Sequence, residues 1–382
     1  MSRPPRTAPS RSQSAERGPG RLRFGVEEEY LLVDPATHRT VARAPEVLAR
    51  AAVELGPRAQ PEFLATQVEA CTPPVDTPTQ LRAELTAMRR SMARAAARCD
   101  CLLVASGTAV LPSRHPLPVT DSPRYRTIAD RHGGLADGFG AELCGCHVHL
   151  GDLDRAVALR LSGLLRPWLP ICQALSANSP FVEGRDHGFA SSRSLVHRSW
   201  PTVGPAPLLD LDGYERTADA LVADGPLVDR RMIYWYARPS EHLPTLEVRA
   251  FDVSTELETT VLLATLLRGL AWSLLADPEP APEAPLLEAA HWQAARTGLR
   301  GAALDPVDGR RLPVDQQLHR LLARALPGLA AHGDLASARY LTQRLRARGT
   351  GADRQRAVRE RRGSLHAVVA WLAADFRHEL MS

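Results

Sequence analysis

Several short stretches of this chain alternate apolar and polar positions with a period of two, and longer stretches between them carry a helical period. FGVEEEYLLVD (24–34) predicts a strand that ends at the Asp34-Pro35 turn, and RAQPEFLATQVEACTPP (58–74) contains a second extended segment closed by Pro73-Pro74. CDCLLVASGTAV predicts a short buried strand, and CGCHVHLGD (144–152) a strand leading into a turn. RMIYWYARPS and PTLEVRAFDVS predict a paired set of strands. TPTQLRAELTAMRRSMARAAARC opens on an N-cap Thr and continues with good helix formers. RAVALRLSGLLRPWLPICQALSAN is helical but broken by Pro167 and Pro170. From Leu257 the chain is rich in Leu, Ala and Arg and mostly helical. LPSRHPLPVTDSPRYRTIADRHGG carries little regular signal before a short helix, and SPFVEGRDHGFASSRSLVHRSWPTVGPAP is too long for a simple connector, which predicts a functional loop. Hairpins and helical runs without βαβ alternation predict an α+β fold with a largely antiparallel sheet.

Composition narrows the class. At 382 residues the chain can bury a sizeable core, and 44% apolar with 24% charged residues is ordinary for a soluble protein. No run approaches the roughly 18 to 20 apolar residues of a membrane span. The Arg/Pro/Ser-rich start lacks an apolar region, so residues 1–22 are expected to be a disordered leader and residues 23–382 one domain. A cytoplasmic protein follows. Much of the net charge of +4 sits in that leader, and the remaining charges interleave, which argues against nucleic-acid binding. The chain has no Lys at all, which excludes a Walker-type loop, a Schiff-base lysine and a lysine base. Any phosphate must therefore be met by Arg, metal and backbone. The six cysteines show neither zinc spacing nor a disulfide context and predict reduced, mostly buried thiols.

The candidate chemistry lies on the strands. Alternation puts Glu27 and Glu29 on one face and Glu28 on the other with Val26 and Tyr30. Two co-facial carboxylates repel unless a cation sits between them, and magnesium suits such oxygen donors. Glu69 shares a face with Gln67 and Cys71. His147 and His149 are co-facial, as in many metal sites, although two hydrogen-bonded structural histidines would look the same. Glu247 and Arg249 are also co-facial: a structural salt bridge, or a metal ligand beside a phosphate clamp. Arg193, Arg198 and Arg238 are further candidate anion binders.

Taken in series, FGVEEEYLLVDP, PEFLATQVEACTPP, CGCHVHLGD, RPWLP…ALSANSPFVEGRD…GFASSRSLV…WPTVGP, RPSEHLPTLEVRAFDV and RGTGADRQR resemble the carboxylate-amine ligase family, also called type 2 glutamate–cysteine ligases. The resemblance spans roughly residues 22 to 375. It implies a catalytic domain akin to glutamine synthetase, whose antiparallel sheet holds ATP and Mg2+. ATP would phosphorylate a substrate carboxylate, and an amine would attack the acyl phosphate to form an amide, with glutamate–cysteine ligase activity in prospect. Carried over by position, Glu27, Glu29, Glu69, His147 and Glu247 would form the metal and nucleotide set, with His149 orienting or binding beside them. Arg249 would steady the transferring phosphoryl group, and Arg193 and Arg238 would hold the substrate carboxylates. Substrates would be small amino-acid-like carboxylates and amines, and a homodimer is the default assembly.

This chain departs from the family pattern at Phe189, Ser192, His187 and Tyr236, expected near bound substrate, which opens the question of which carboxylate and amine it joins. Two other readings remain: a metal-dependent hydrolase of barrel type using the His-x-His pair, and a non-catalytic relative that binds nucleotide.

Overall fold

The computed structural model describes residues 20–379 apart from 114–115, 137, 139–140, 280–281 and 283. Residues 1–19 of the expected leader lie outside the described residues. Inside that leader's expected limit, Leu22 is already buried, and its N–H donates to His332 Nε2 at 3.1 Å.

The strands are β1 (Phe24–Val33), β2 (Ala59–Pro61), β3 (Gln67–Cys71), β4 (Leu102–Val104), β5 (Gly145–Gly151), the small hairpin β6 (Phe181–Val182) and β7 (Arg185–Asp186), then β8 (Ala237–Pro239), β9 (Thr245–Asp252) and a second separate hairpin, β10 (Ala302–Asp305) and β11 (Arg310–Pro313). The main sheet runs β2-β3-β1-β5-β9-β8, with β4 also pairing with β1. Every pairing in it is antiparallel. A barrel-type hydrolase needs parallel strands, so that alternative is excluded.

One face of the sheet is covered by helices. At their centre is Leu257–Ala276, whose Leu262, Leu263, Leu266, Leu267, Leu270 and Leu274 are fully buried. Each such side chain contributes about 1.5–3 kcal/mol of burial. This corrects the expectation that no segment approaches a membrane span. The helix is 20 residues long with a mean hydropathy of 1.5 in its most apolar window, enough by length and composition alone. It is instead a core helix, 83% of that window buried, and its fully buried Arg268 is ion-paired with Asp334. It crosses the Val314–His332 helix at two glycines. A Cβ on Gly328 would lie 2.0 Å from the Gly269 carbonyl oxygen, so only glycine permits that approach.

The middle residue of the acidic triplet points into this helical layer. Glu28 accepts from Arg89 at 2.6 and 2.8 Å, from Tyr30 Oη at 2.6 Å and from Thr260 Oγ1 at 2.8 Å. Arg89 also donates to the carbonyls of Ser254 and Thr255. Glu28 thus ties β1 to the Pro78–Ala97 and Leu257–Ala276 helices.

Two local expectations are revised. The segment given little regular signal holds a helix, Pro123–Ala136, kinked at His132. The long loop is partly regular: it contains β6, β7 and the short helix Ser192–His197. All six cysteines are free, and all but the half-buried Cys71 are buried.

Candidate active site

The opposite face of the sheet carries the charged residues, and the strand register brings them together. Glu29 is directly paired with Glu69, Glu27 with His147, and His149 with Glu247, which in turn is paired with Arg238. Five strands therefore contribute to one row of side chains. They floor a cavity of about 450 Å³ that is also lined by Arg193, Arg249 and residues from the surrounding loops.

Two clusters share Glu27. Glu27, Glu69 and His147 place one ligand atom each within 4.8 Å of one another, as do Glu27, His149 and Glu247. His147 Nδ1 lies 3.2 Å from Glu27, and His149 Nε2 lies 3.2 Å from the other Glu27 oxygen. His149 Nδ1 is turned to Thr245 Oγ1 at 2.9 Å, which fixes the ring. Glu29 falls outside both clusters: it accepts the Gly145 N–H and stands 3.5 Å from His147 Nε2. The structure thus gives His149 a position equivalent to that of His147 and places Glu29 at the margin.

The electrostatics are divided. Burial would raise Glu27, yet hydrogen bonds and charge from His147 and His149 hold it well below the usual carboxylate range. Burial, then the neighbouring carboxylates of Glu27, Glu62 and Glu29, push Glu69 well above that range. Against burial, Arg238 and Arg249 draw Glu247 down to about 2. A cation is therefore called for beside Glu69, where carboxylates face one another, and is partly replaced by guanidinium beside Glu247. The Nε2 of His147 is buried without a hydrogen-bond partner among the described residues, 3.5 Å from Glu29, and the Nε2 of His149 faces only Glu27, at 3.2 Å. Buried imidazole nitrogens facing carboxylates in this way fit divalent-metal positions that phosphate and water oxygens would complete.

Arg249 is ion-paired with Glu247 and lies under the Tyr234 ring, 5.8 Å from its centroid. Arg238 reaches Glu247 at 3.1 Å from the other side. Arg193 arrives from the Ser192–His197 helix and lies over Gly145, where a Cβ would come within 2.4 Å of its Nη2.

The seat of Arg193 depends on a bulge. Between Cys146 and Val148 the β5–β9 register shifts, so Asp252 rather than Phe251 joins the face of Gly145. Asp252 accepts from Asn178 N at 2.8 Å, Ser179 Oγ at 2.7 Å and Ser191 Oγ at 2.8 Å, and Ser179 Oγ accepts from the Arg193 N–H. Asn178 is itself held by Gln355, from the RGTGADRQR segment, at 2.8 Å. That segment therefore shapes the site without entering it.

Other expectations fail. Arg198 pairs with Glu288 at 3.3 Å and does not line the cavity. Neither do Phe189, Ser192, His187 and Tyr236. Tyr236 packs on His291, ring centroids 4.4 Å apart, Phe189 packs on Trp292, Ser192 is buried, and His187 is exposed. These departures therefore lie outside the lining of the cavity.

Sequence reasoning missed Glu62, Phe63, Tyr125, His197, Trp200 and Tyr234, all of which line the cavity. Most come from loops, where no period marks a face. His197 alone had a signal, since it stands one helical turn after Arg193.

The comparisons with known proteins agree with this geometry. The model of "Glutamate-cysteine ligase family 2" matches residues 23–370. A Saccharopolyspora erythraea protein named "Putative glutamate–cysteine ligase 2-2" is 42% identical over 375 residues, covering 94% of each chain. A Salinispora tropica protein named "Putative glutamate–cysteine ligase 2" is 40% identical over 363 residues, covering 93% of this chain and 95% of its own. Among solved structures, the glutamate–cysteine ligase of Francisella tularensis in complex with AMP superposes with a TM-score of 0.67 at 11% identity, over 94% of this chain and 93% of that one. A bifunctional glutathione synthetase from Pasteurella multocida gives 0.69 at 16% identity, over 94% of this chain and 53% of that longer one. The two structural likenesses show a shared fold. With the family model spanning nearly all of the described chain, the protein belongs to glutamate–cysteine ligase family 2, a family of ligases that form C–N bonds.

Proposed function

We propose that the cavity binds ATP with magnesium and activates an amino-acid-like carboxylate as an acyl phosphate, which an amine then converts to an amide. The observation that carries this reading is the pair of carboxylate–imidazole clusters sharing Glu27, with Arg249 beside them. Glu27, Glu69 and His147 would hold one magnesium ion, and Glu27, His149 and Glu247 a second, with Glu29 supporting the first. Magnesium would neutralise phosphate charge as the phosphoryl group transfers. Arg249, half-buried and close to the row of carboxylates, is placed to steady that group. Arg193 is the better candidate for the substrate carboxylate, because Arg238 is already committed to Glu247.

Glutamate is the carboxylate to try first, given the names its relatives carry. The reading takes residues 23–382 as one catalytic unit working in the cytoplasm, where ATP and free amino acids meet. Its test is ADP release from ATP and Mg2+ with glutamate and a panel of amines, against Glu27→Gln. Glutamate-dependent turnover that the variant loses supports the reading. ATP binding without turnover under any pairing rejects it in favour of a non-catalytic nucleotide binder.

A further inference from the structure

The ligase reading leaves one chemical need unmet. An amine that attacks an acyl carbon becomes cationic at nitrogen and must shed a proton for the amide to form. The carboxylates on the sheet floor are claimed by the proposed metal positions, and the chain has no lysine. A separate proton acceptor is needed.

His197 meets the geometric requirements. It lines the cavity from the Ser192–His197 helix, one turn beyond Arg193, so both side chains are presented on one side of that helix. Its ring packs at 5.6 Å, tilted by 53°, against Tyr234, another cavity residue, which fixes its position. The other imidazoles of the cavity floor are committed: His147 to Glu27, and His149 to Glu27 and Thr245. The His197 side chain has no hydrogen-bond or ion-pair partner among the described residues.

We infer that His197 accepts the proton of the attacking amine. As the amine lone pair forms the C–N bond, the carbonyl becomes tetrahedral. It then reforms as the C–O bond to phosphate breaks and phosphate departs with that electron pair. The ammonium proton passes to an imidazole nitrogen of His197, which afterwards releases it to the departing phosphate or to water. This step rests on the ligase reading and adds to it the residue that completes the second half-reaction.

The surroundings explain why this imidazole would act only once the acyl phosphate is present. Burial first, then Arg193, Arg249 and His147, hold His197 well below its ordinary range and so keep it neutral. The carboxylate-derived acyl phosphate, held at its acyl end by Arg193 and at its phosphoryl group by Arg249, offsets their charge and makes a proton on His197 acceptable at that moment.

The test separates the two half-reactions. Full-length wild type, His197→Gln and His197→Phe are assayed with ATP, Mg2+ and L-glutamate. The nucleophile is either hydroxylamine, which attacks acyl phosphates without a base, or the amine that gives wild type its highest turnover. Thermal melting confirms that each variant is folded, and the Phe variant preserves ring packing against Tyr234. The expected result is a loss of amide formation of about 10²-fold or more in both variants, with hydroxamate formation within about threefold of wild type, and partial recovery of amide formation in added imidazole. Equal losses with both nucleophiles, or no loss with the amine, would overturn the assignment. If wild type gives neither hydroxamate nor amide, it is the ligase reading with glutamate that falls.

Discussion

Glu29 and Glu69 stand directly opposite each other on neighbouring antiparallel strands, two carboxylates where a sheet ordinarily pairs apolar or opposite charges. Like charges in that position are destabilising, and the magnesium proposed beside Glu69 would compensate them. Magnesium with ATP should therefore raise the melting temperature in a concentration-dependent way, by about 2.7 kcal/mol of stability at a hundredfold excess over Kd. Glu69→Gln should melt higher than wild type in chelator and gain less from magnesium. Differential scanning calorimetry with and without the metal decides this; a variant that melts lower in chelator would contradict it.

Arg249 should be the most costly cation to remove from the site. Arg249→Gln is expected to lower kcat by about 10³-fold, the scale seen when an arginine is withdrawn from a transferring phosphoryl group. ATP affinity should change much less. Steady-state kinetics with ATP titrations will show whether kcat carries the loss.

Gly145 is the seat of a guanidinium, and its lack of a side chain serves Arg193. Gly145→Ala puts a methyl where Nη2 of Arg193 lies. A displacement of about 1 Å at a binding group can cost about 10²-fold, so kcat/KM for the carboxylate substrate should fall on that scale. Arg193→Ala and the double variant should lose little more, because the two changes remove one interaction. Additive losses would show that Gly145 acts independently.

On the helical face, Arg89→Met would leave Glu28 buried and uncompensated, at a cost of about 3–5 kcal/mol. Adding Glu28→Gln should recover part of it. Urea denaturation of the single and double variants measures the recovery.

His291 makes acid stability testable. Burial, assisted by Arg198, depresses its imidazole to about 3, while an unfolded His titrates near 6.5. The unfolded state thus binds the proton first on acidification. The contribution of neutral His291 is complete above about pH 6.5 and is lost as pH falls from there towards 3. Melting temperatures of wild type should drop across that window, and His291→Gln should show a shallower slope. Parallel profiles would refute the assignment.

Alternation alone determined much of the site. A period of two sends Glu27 and Glu29 to one side of their strand and Glu28 to the other, and it makes His147 with His149, and Glu247 with Arg249, co-facial pairs. Those relations depend only on backbone geometry within one strand. The antiparallel character of the sheet was legible for a similar reason, since hairpins and helical runs leave no room for βαβ crossovers.

Everything that depends on which strands are neighbours was decided by tertiary structure. Sequence does not state that β1 lies between β3 and β5, and that placement is what lets Glu27 serve two clusters. The β5–β9 bulge reverses the parity of Asp252, so a residue whose spacing from Glu247 would put it on the far face instead anchors the loop behind Arg193. Glu62 and Trp200 reach the cavity from irregular backbone, where no periodicity exists to be read, and Tyr234 from a segment expected to be strand that is regular only at Ala237–Pro239. The loop departures were misplaced for the same reason. Phe189 and Tyr236 lie close to the site along the chain, but packing against Trp292 and His291 turns them away from it. Local periodicity fixes which way a side chain leaves its strand; long-range packing fixes what it meets there.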